Sequence, residues 1–95
     1  MNKKYELIES DISRLYRIKS LRDFSDVKVG DIGGYVASEE NLSQDGDCWV
    51  YHDAWVSGDA QIFGNAKVYG YAKVYGSANV YDNARIFDNA WVSGN

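Results

Sequence analysis

From Val50 onward the chain repeats every six residues, and that period constrains its fold more than any other feature. Each hexad opens with an aliphatic residue: Val50, Val56, Ile62, Val68, Val74, Val80, Ile86 and Val92. Ala fills the fifth place at Ala54, Ala60, Ala66, Ala72, Ala78, Ala84 and Ala90, and Gly or Asp usually fills the third. A helix would rotate such a pattern through about 600° per repeat and give it no constant face. A very short strand followed by a tight turn does satisfy it. The aliphatic side chain points inward and its neighbours point outward. Gly, Asn and Asp then supply a corner that tolerates left-handed backbone angles.

One hexad is one side of a coil, and three sides close it. At this spacing Val50, Val68 and Ile86 form one interior column, Val56, Val74 and Val92 a second, and Ile62 and Val80 a third. Parallel strands then stack at about 4.8 Å per coil. The expected fold is all-β: a single-stranded β-helix of about three triangular coils, filled with Val and Ile and leaving no large hollow. Internal repetition of this kind fixes architecture before other signals are weighed.

Upstream the pattern weakens. Ile32-Gly-Gly-Tyr-Val36-Ala fits a hexad with Ile32 in the inward place, and residues 44–49 fit apart from Gln44. Residues 32–49 read as an irregular first coil, with a helical turn started by Ser38 and Leu42 plugging the top of the core. Tyr5–Ile8 and Leu15–Leu21 read as two strands joined by a turn at Ser10–Ser13. This hairpin and Val27–Asp31 are expected to cap the first coil, whose strand edges would otherwise invite aggregation. The division is thus a cap over 1–31 and a β-helix over 32–95 within one structural domain.

The hexads resemble those of the hexapeptide-repeat left-handed β-helix proteins, closely over 50–95 and loosely over 32–49, in the aliphatic first and small fifth places. That resemblance implies a left-handed coil. The whole chain is also similar to small hexad-repeat proteins of prophages and low-GC Gram-positive bacteria, through Leu21-Arg-Asp-Phe24, Gly30-Asp-Ile-Gly-Gly-Tyr35 and Gly46-Asp-Cys-Trp-Val50. It implies a fold and a source, and no activity.

Composition narrows function by exclusion. With 95 residues, 45% hydrophobic and 25% charged, the chain suits one folded domain. A net charge of −4 argues against direct nucleic-acid binding. No apolar run approaches the about 20 residues that span a bilayer, and no signal-peptide pattern begins the chain. The expected location is the cytoplasm of a bacterial host. One Cys excludes an internal disulfide.

Many hexapeptide-repeat proteins are acyltransferases with a general-base His. Here the single histidine, His52, occupies a turn place and reads as a surface turn residue. Cys48 takes an inward place held elsewhere by Ala and reads as a buried thiol. Asp45, Asp47, Asp53 and Asp59 lie in turns, where aspartates bond their own backbone; no metal site and no cofactor is expected. Arg14, Arg17, Lys19 and Arg22 read as a solvated strand face. The best functional clue is the outward aromatic set. One wall should display Trp49, Lys67 and Arg85 beside Tyr51, Tyr69 and Phe87, and the next Trp55, Lys73 and Trp91 beside Tyr75. Such a ladder is stabilising without any partner, and a broad exposed aromatic face also suits contact with a second copy, a foreign protein or a sugar.

The functional expectation is a non-catalytic interaction module, not an enzyme, forming a homo-oligomer. It would pair through an uncapped C-terminal coil at Ile86, Ala90, Trp91, Val92 and Asn95, or laterally through the aromatic face. The alternative is a phage-encoded inhibitor of a host defence protein. An acyltransferase is the third reading.

Overall fold

A computed structural model describes residues 3–93 and shows a β-solenoid of about three turns. β1 (Tyr5–Ile8) and β2 (Tyr16–Ser20) form an antiparallel hairpin, with Leu7 opposite Ile18. In the connecting turn the Ile12 amide donates to Ser10 Oγ at 3.1 Å, which donates onward to the Leu15 carbonyl. β3 (Ile32–Val36) pairs antiparallel with β2. A single 3₁₀ turn follows at Glu39–Asn41, capped by Ser38. The repeat then contributes eight two-residue strands: β4 (Trp49–Val50), β5 (Trp55–Val56), β6 (Gln61–Ile62), β7 (Lys67–Val68), β8 (Lys73–Val74), β9 (Asn79–Val80), β10 (Arg85–Ile86) and β11 (Trp91–Val92).

The strands sort into three faces, as a period of eighteen requires. One has the order β10-β7-β4, a second β6-β9, and the third runs β1-β2-β3-β5-β8-β11. Val50, Val68 and Ile86 are stacked in register, and so are Val56, Val74 and Val92. The sheet of six strands crosses residues 31–32 without a break, because β3 pairs antiparallel with the hairpin and parallel with β5. The interior holds these aliphatics with Cys48 and the corner alanines; Ala54, Ala60, Ala66 and Ala72 are fully buried.

Every described third-place residue of the repeat has positive φ: His52, Gly58, Gly64, Gly70, Gly76, Asp82 and Asp88. The corner itself requires the left-handed region, which explains the preference for Gly and Asp. Gly34 is fixed differently. A Cβ there would lie 2.5 Å from the Ala54 carbonyl oxygen, so only glycine lets β3 approach the next coil.

The first coil corrects the expected register. Ile32 is 40% exposed, while Val36 is fully buried and stands over Val56. Leu42 pairs with Ile62 and so belongs to the third column, not to a plug above the core. These partners are twenty residues apart, whereas Trp49 and Lys67 regain the spacing of eighteen. The two additional residues are taken up at the corner between Leu42 and Cys48. There the carbonyls of Asp45, Gly46 and Cys48 accept from Lys4 Nζ at 3.4, 3.2 and 2.8 Å. A fully buried ammonium thus ties down a corner that no repeat rule describes. Burial holds the Lys4 pKa below its ordinary 10.5.

Asn41 completes the first coil. In later coils backbone amides donate to the next coil; those of Asp59 and Gln61 donate to the carbonyls of Gly76 and Ala78. In the first coil the Asn41 side-chain amide does this instead, donating to Gly58 O at 3.2 Å and Ala60 O at 2.8 Å. Its Oδ1 accepts from the amides of Ala37 and Ser38 at 2.8 and 2.9 Å. The buried side chain therefore has its hydrogen-bonding capacity matched.

Candidate functional site

Two places gather the outward residues: a cleft beside the loop 22–31, and the last described coil.

The cleft forms because the loop folds over the wall carrying β4 and β7. Phe24 and Val27 pair with each other, and Val27 is buried while Val29 is exposed. Phe24 packs edge-on against Trp49, with centroids 5.2 Å apart, and Tyr5 does so from the other side at 6.2 Å. The repeat pattern places Trp49 on an open wall; in the structure it is only 2% exposed and serves the core. Lys67 is also buried rather than displayed, at 9% exposure. Its Nζ donates to Ser25 Oγ at 3.1 Å and to the Asp47 carbonyl at 2.7 Å. The cap thus covers the upper part of the expected aromatic face. The covering residues carry no repeat signal.

Beyond this cover the ladder is open. Tyr51 and Tyr69 meet edge-on at 6.2 Å, and Tyr69 stacks on Phe87 at 5.5 Å. The Tyr51 hydroxyl donates to Asp26 Oδ1 at 2.7 Å. Burial, with this carboxylate, pushes the Tyr51 pKa well above its ordinary 10.0. Tyr51, His52, Lys67, Tyr69, Gly70 and Arg85 line a cleft of about 450 Å³ with Ser25 and Asp26. Of the residues expected on one wall, the structure brings Tyr51, Lys67, Tyr69 and Arg85 together around this cleft. The sequence pattern does not point to Ser25 and Asp26, because loop residues brought over a wall leave no periodic trace.

The second wall is a separate ladder. Tyr35 lies edge-on to Trp55, Lys73 Nζ lies 4.8 Å from the Trp55 ring centroid, and Tyr75 meets Trp91 edge-on at 6.5 Å. Arg17 is no free strand cation: its guanidinium stacks on Tyr35 and donates to the carbonyls of Gly33 and His52. His52 thus has its backbone engaged by the cap and its imidazole at a left-handed corner. Cys48 is fully buried, with Lys4 Nζ 3.3 Å from its sulfur.

At the far end, β9, β10 and β11 are each the last strand of their face. One coil earlier, the amides of Lys67 and Tyr69 donate to the carbonyls of Ala84 and Ile86. Their equivalents, the amides of Arg85 and Phe87, have no partner among the described residues. Among the described residues, Ile86 and Val92 are half-buried here, Ala90 is exposed and Trp91 is 69% exposed. Of the expected edge residues, Asn95 lies outside the described residues. Among the described residues no three His, Cys, Asp or Glu side chains come together to hold a metal ion. No described helix is long and apolar enough to cross a membrane.

Comparison with known proteins agrees with the solenoid. A family model for the YdcK β-solenoid repeat matches residues 60–77 and 78–94. The uncharacterized acetyltransferase YdcK of Escherichia coli (strain K12) is 43% identical over 37 residues, which make up 39% of this chain and 11% of that protein. The chain is similar to these repeats over that stretch and spans a small fraction of the relative's length.

Proposed function

We propose that the chain is a non-catalytic interaction module whose last described coil pairs with a second copy of itself. The supporting observation is the edge at β10. Its outward amides, at Arg85 and Phe87, repeat positions that are hydrogen-bonded one coil earlier. An edge carrying donors and carbonyls side by side is complementary to itself under two-fold symmetry. The adjoining half-buried Ile86 and Val92 and the exposed Trp91 would be covered by the same contact.

The name of the Escherichia coli relative invites an acyl-transfer reading. The residues matched by the repeat family, 60–94, contain neither His nor Cys. That matched stretch therefore carries the scaffold to this chain without a histidine base or a cysteine thiol.

Light scattering after size exclusion tests the pairing. The expected mass is twice that of the chain, falling to one chain in Phe87→Pro. That change removes one outward amide and none used within the fold. A wild-type chain that stays monomeric at high concentration overturns the proposal. So does a stable complex with a foreign protein formed through this edge while no self-pairing is detected.

A further inference from the structure

The cleft between the loop 22–31 and the tyrosine ladder opens on the flank of the stack, and of its lining residues only Arg85 also lies in the β10 edge. We infer that the cleft is a binding site for a small organic anion: a carboxylate or phosphate monoester carried on a flat ring.

The argument begins with Lys67. Its ammonium lies in a residue nine-tenths buried, and both of its hydrogen-bond partners, Ser25 Oγ and the Asp47 carbonyl, are neutral. Three donors meet two hydrogen-bond acceptors, with the Tyr51 ring centroid 5.9 Å from the ammonium, so one donor has no hydrogen-bond partner among the described residues. The described ion pair is Lys3–Glu39, so neither Lys67 nor Arg85 has a carboxylate within ion-pair distance among the described residues. A buried cation without a counter-charge is costly, and an incoming anion supplies the missing one. Arg85, exposed on the rim, adds a second cation with fork geometry suited to carboxylate or phosphate. The lining carboxylate, Asp26, already accepts from the Tyr51 hydroxyl. The lining side chains thus carry two cations against one anion in a chain whose net charge is −4.

Shape supplies the rest of the ligand class. Tyr51 and Tyr69 give the cleft aromatic walls, and Phe87 stacked on Tyr69 holds that ring in place. A ring lying along this wall gains stacking contact while its acidic group reaches Lys67 and Arg85. The volume of about 450 Å³ accommodates a ligand of that size.

The test is titration of the full chain, followed by amide NMR at constant ionic strength. The probes are phenyl phosphate, benzoate, inorganic phosphate and benzyl alcohol. Saturable shifts at Tyr69, Gly70 and Arg85 are expected with one or both ring anions. Comparing phenyl phosphate with benzoate identifies the preferred acid. Inorganic phosphate and benzyl alcohol should bind at least about tenfold more weakly, since each lacks one half of the recognised chemistry. Arg85→Gln should weaken the ring anions by about tenfold or more. Asp26→Asn, which keeps an acceptor for Tyr51, should tighten them severalfold. Both substitutions are at exposed positions, so circular dichroism should match the parent. Failure to saturate below about 10 mM overturns the inference. So does benzyl alcohol binding as well as benzoate, or affinity unchanged in both variants.

Discussion

At the scale of single residues, the molecule depends on side chains that replace backbone groups. Asn41→Ala removes the donors for Gly58 O and Ala60 O and the acceptor for two amides. The expected loss is about 3 kcal/mol, measured by urea denaturation. Gly58 has φ +64, and a Cβ there would lie 3.0 Å from the Gly76 carbonyl oxygen. Gly58→Ala should cost about 1–2 kcal/mol in the same assay. Tyr5 links stability to pH. Its hydroxyl donates to the Leu42 carbonyl, with Glu39 O 2.9 Å away. Burial, and then the Glu39 charge, raises its pKa above the ordinary 10.0. The unfolded chain therefore loses this proton first, and stability falls as pH rises above about 10. Tyr51, also raised, acts in the same direction. Lys4, lowered by burial, acts oppositely: the unfolded chain still binds its proton up to about 10.5, so its contribution rises with pH there. With two phenols against one amine, a net alkaline loss is expected. Tyr5→Phe should be less stable by about 1 kcal/mol at neutral pH. Its stability should also fall less steeply than wild type above about pH 10. An unchanged alkaline slope would remove Tyr5 from that linkage.

At the scale of elements, the contrast is between strands that repeat and a cap that does not. The aliphatic columns, the alanine corners and the left-handed third place were legible because a single geometric need recurs with each hexad. The hairpin was legible from its alternation and turn residues. The first coil was misread by two residues, since Ile32 matches the hexad consensus while Val36 does the packing. Only the Lys4-bridged corner reveals where the spacing changes. The cleft was half legible. Its wall follows from the repeat, whereas Ser25 and Asp26 arrive through the fold of a loop. Trp49 shows what this does to function: a ring that the period turns outward becomes the seat of the cap. Trp49→Ala should cost about 3–5 kcal/mol, the range for removing a large core aromatic. A thermal melt no lower than that of wild type would mean that Tyr5 and Phe24 do not depend on it.

At the scale of the whole molecule, the first and last described coils differ. The first coil is closed by the hairpin, the Ser38–Asn41 turn and the Lys4 ammonium. The last described coil ends in three strands that are each the edge of a face. Parallel stacking adds coils without altering either end, so each addition still leaves a row of amides to be paired. The proposed pairing with a second copy would satisfy that row and leave the cleft open on the flank. Amide hydrogen exchange measured across a concentration series tests this pairing where it occurs. The amides of Arg85 and Phe87 should become protected as concentration rises, while those of Lys67 and Tyr69, bonded within the chain, remain protected throughout. Rapid exchange of Arg85 and Phe87 at all concentrations would contradict the proposed assembly.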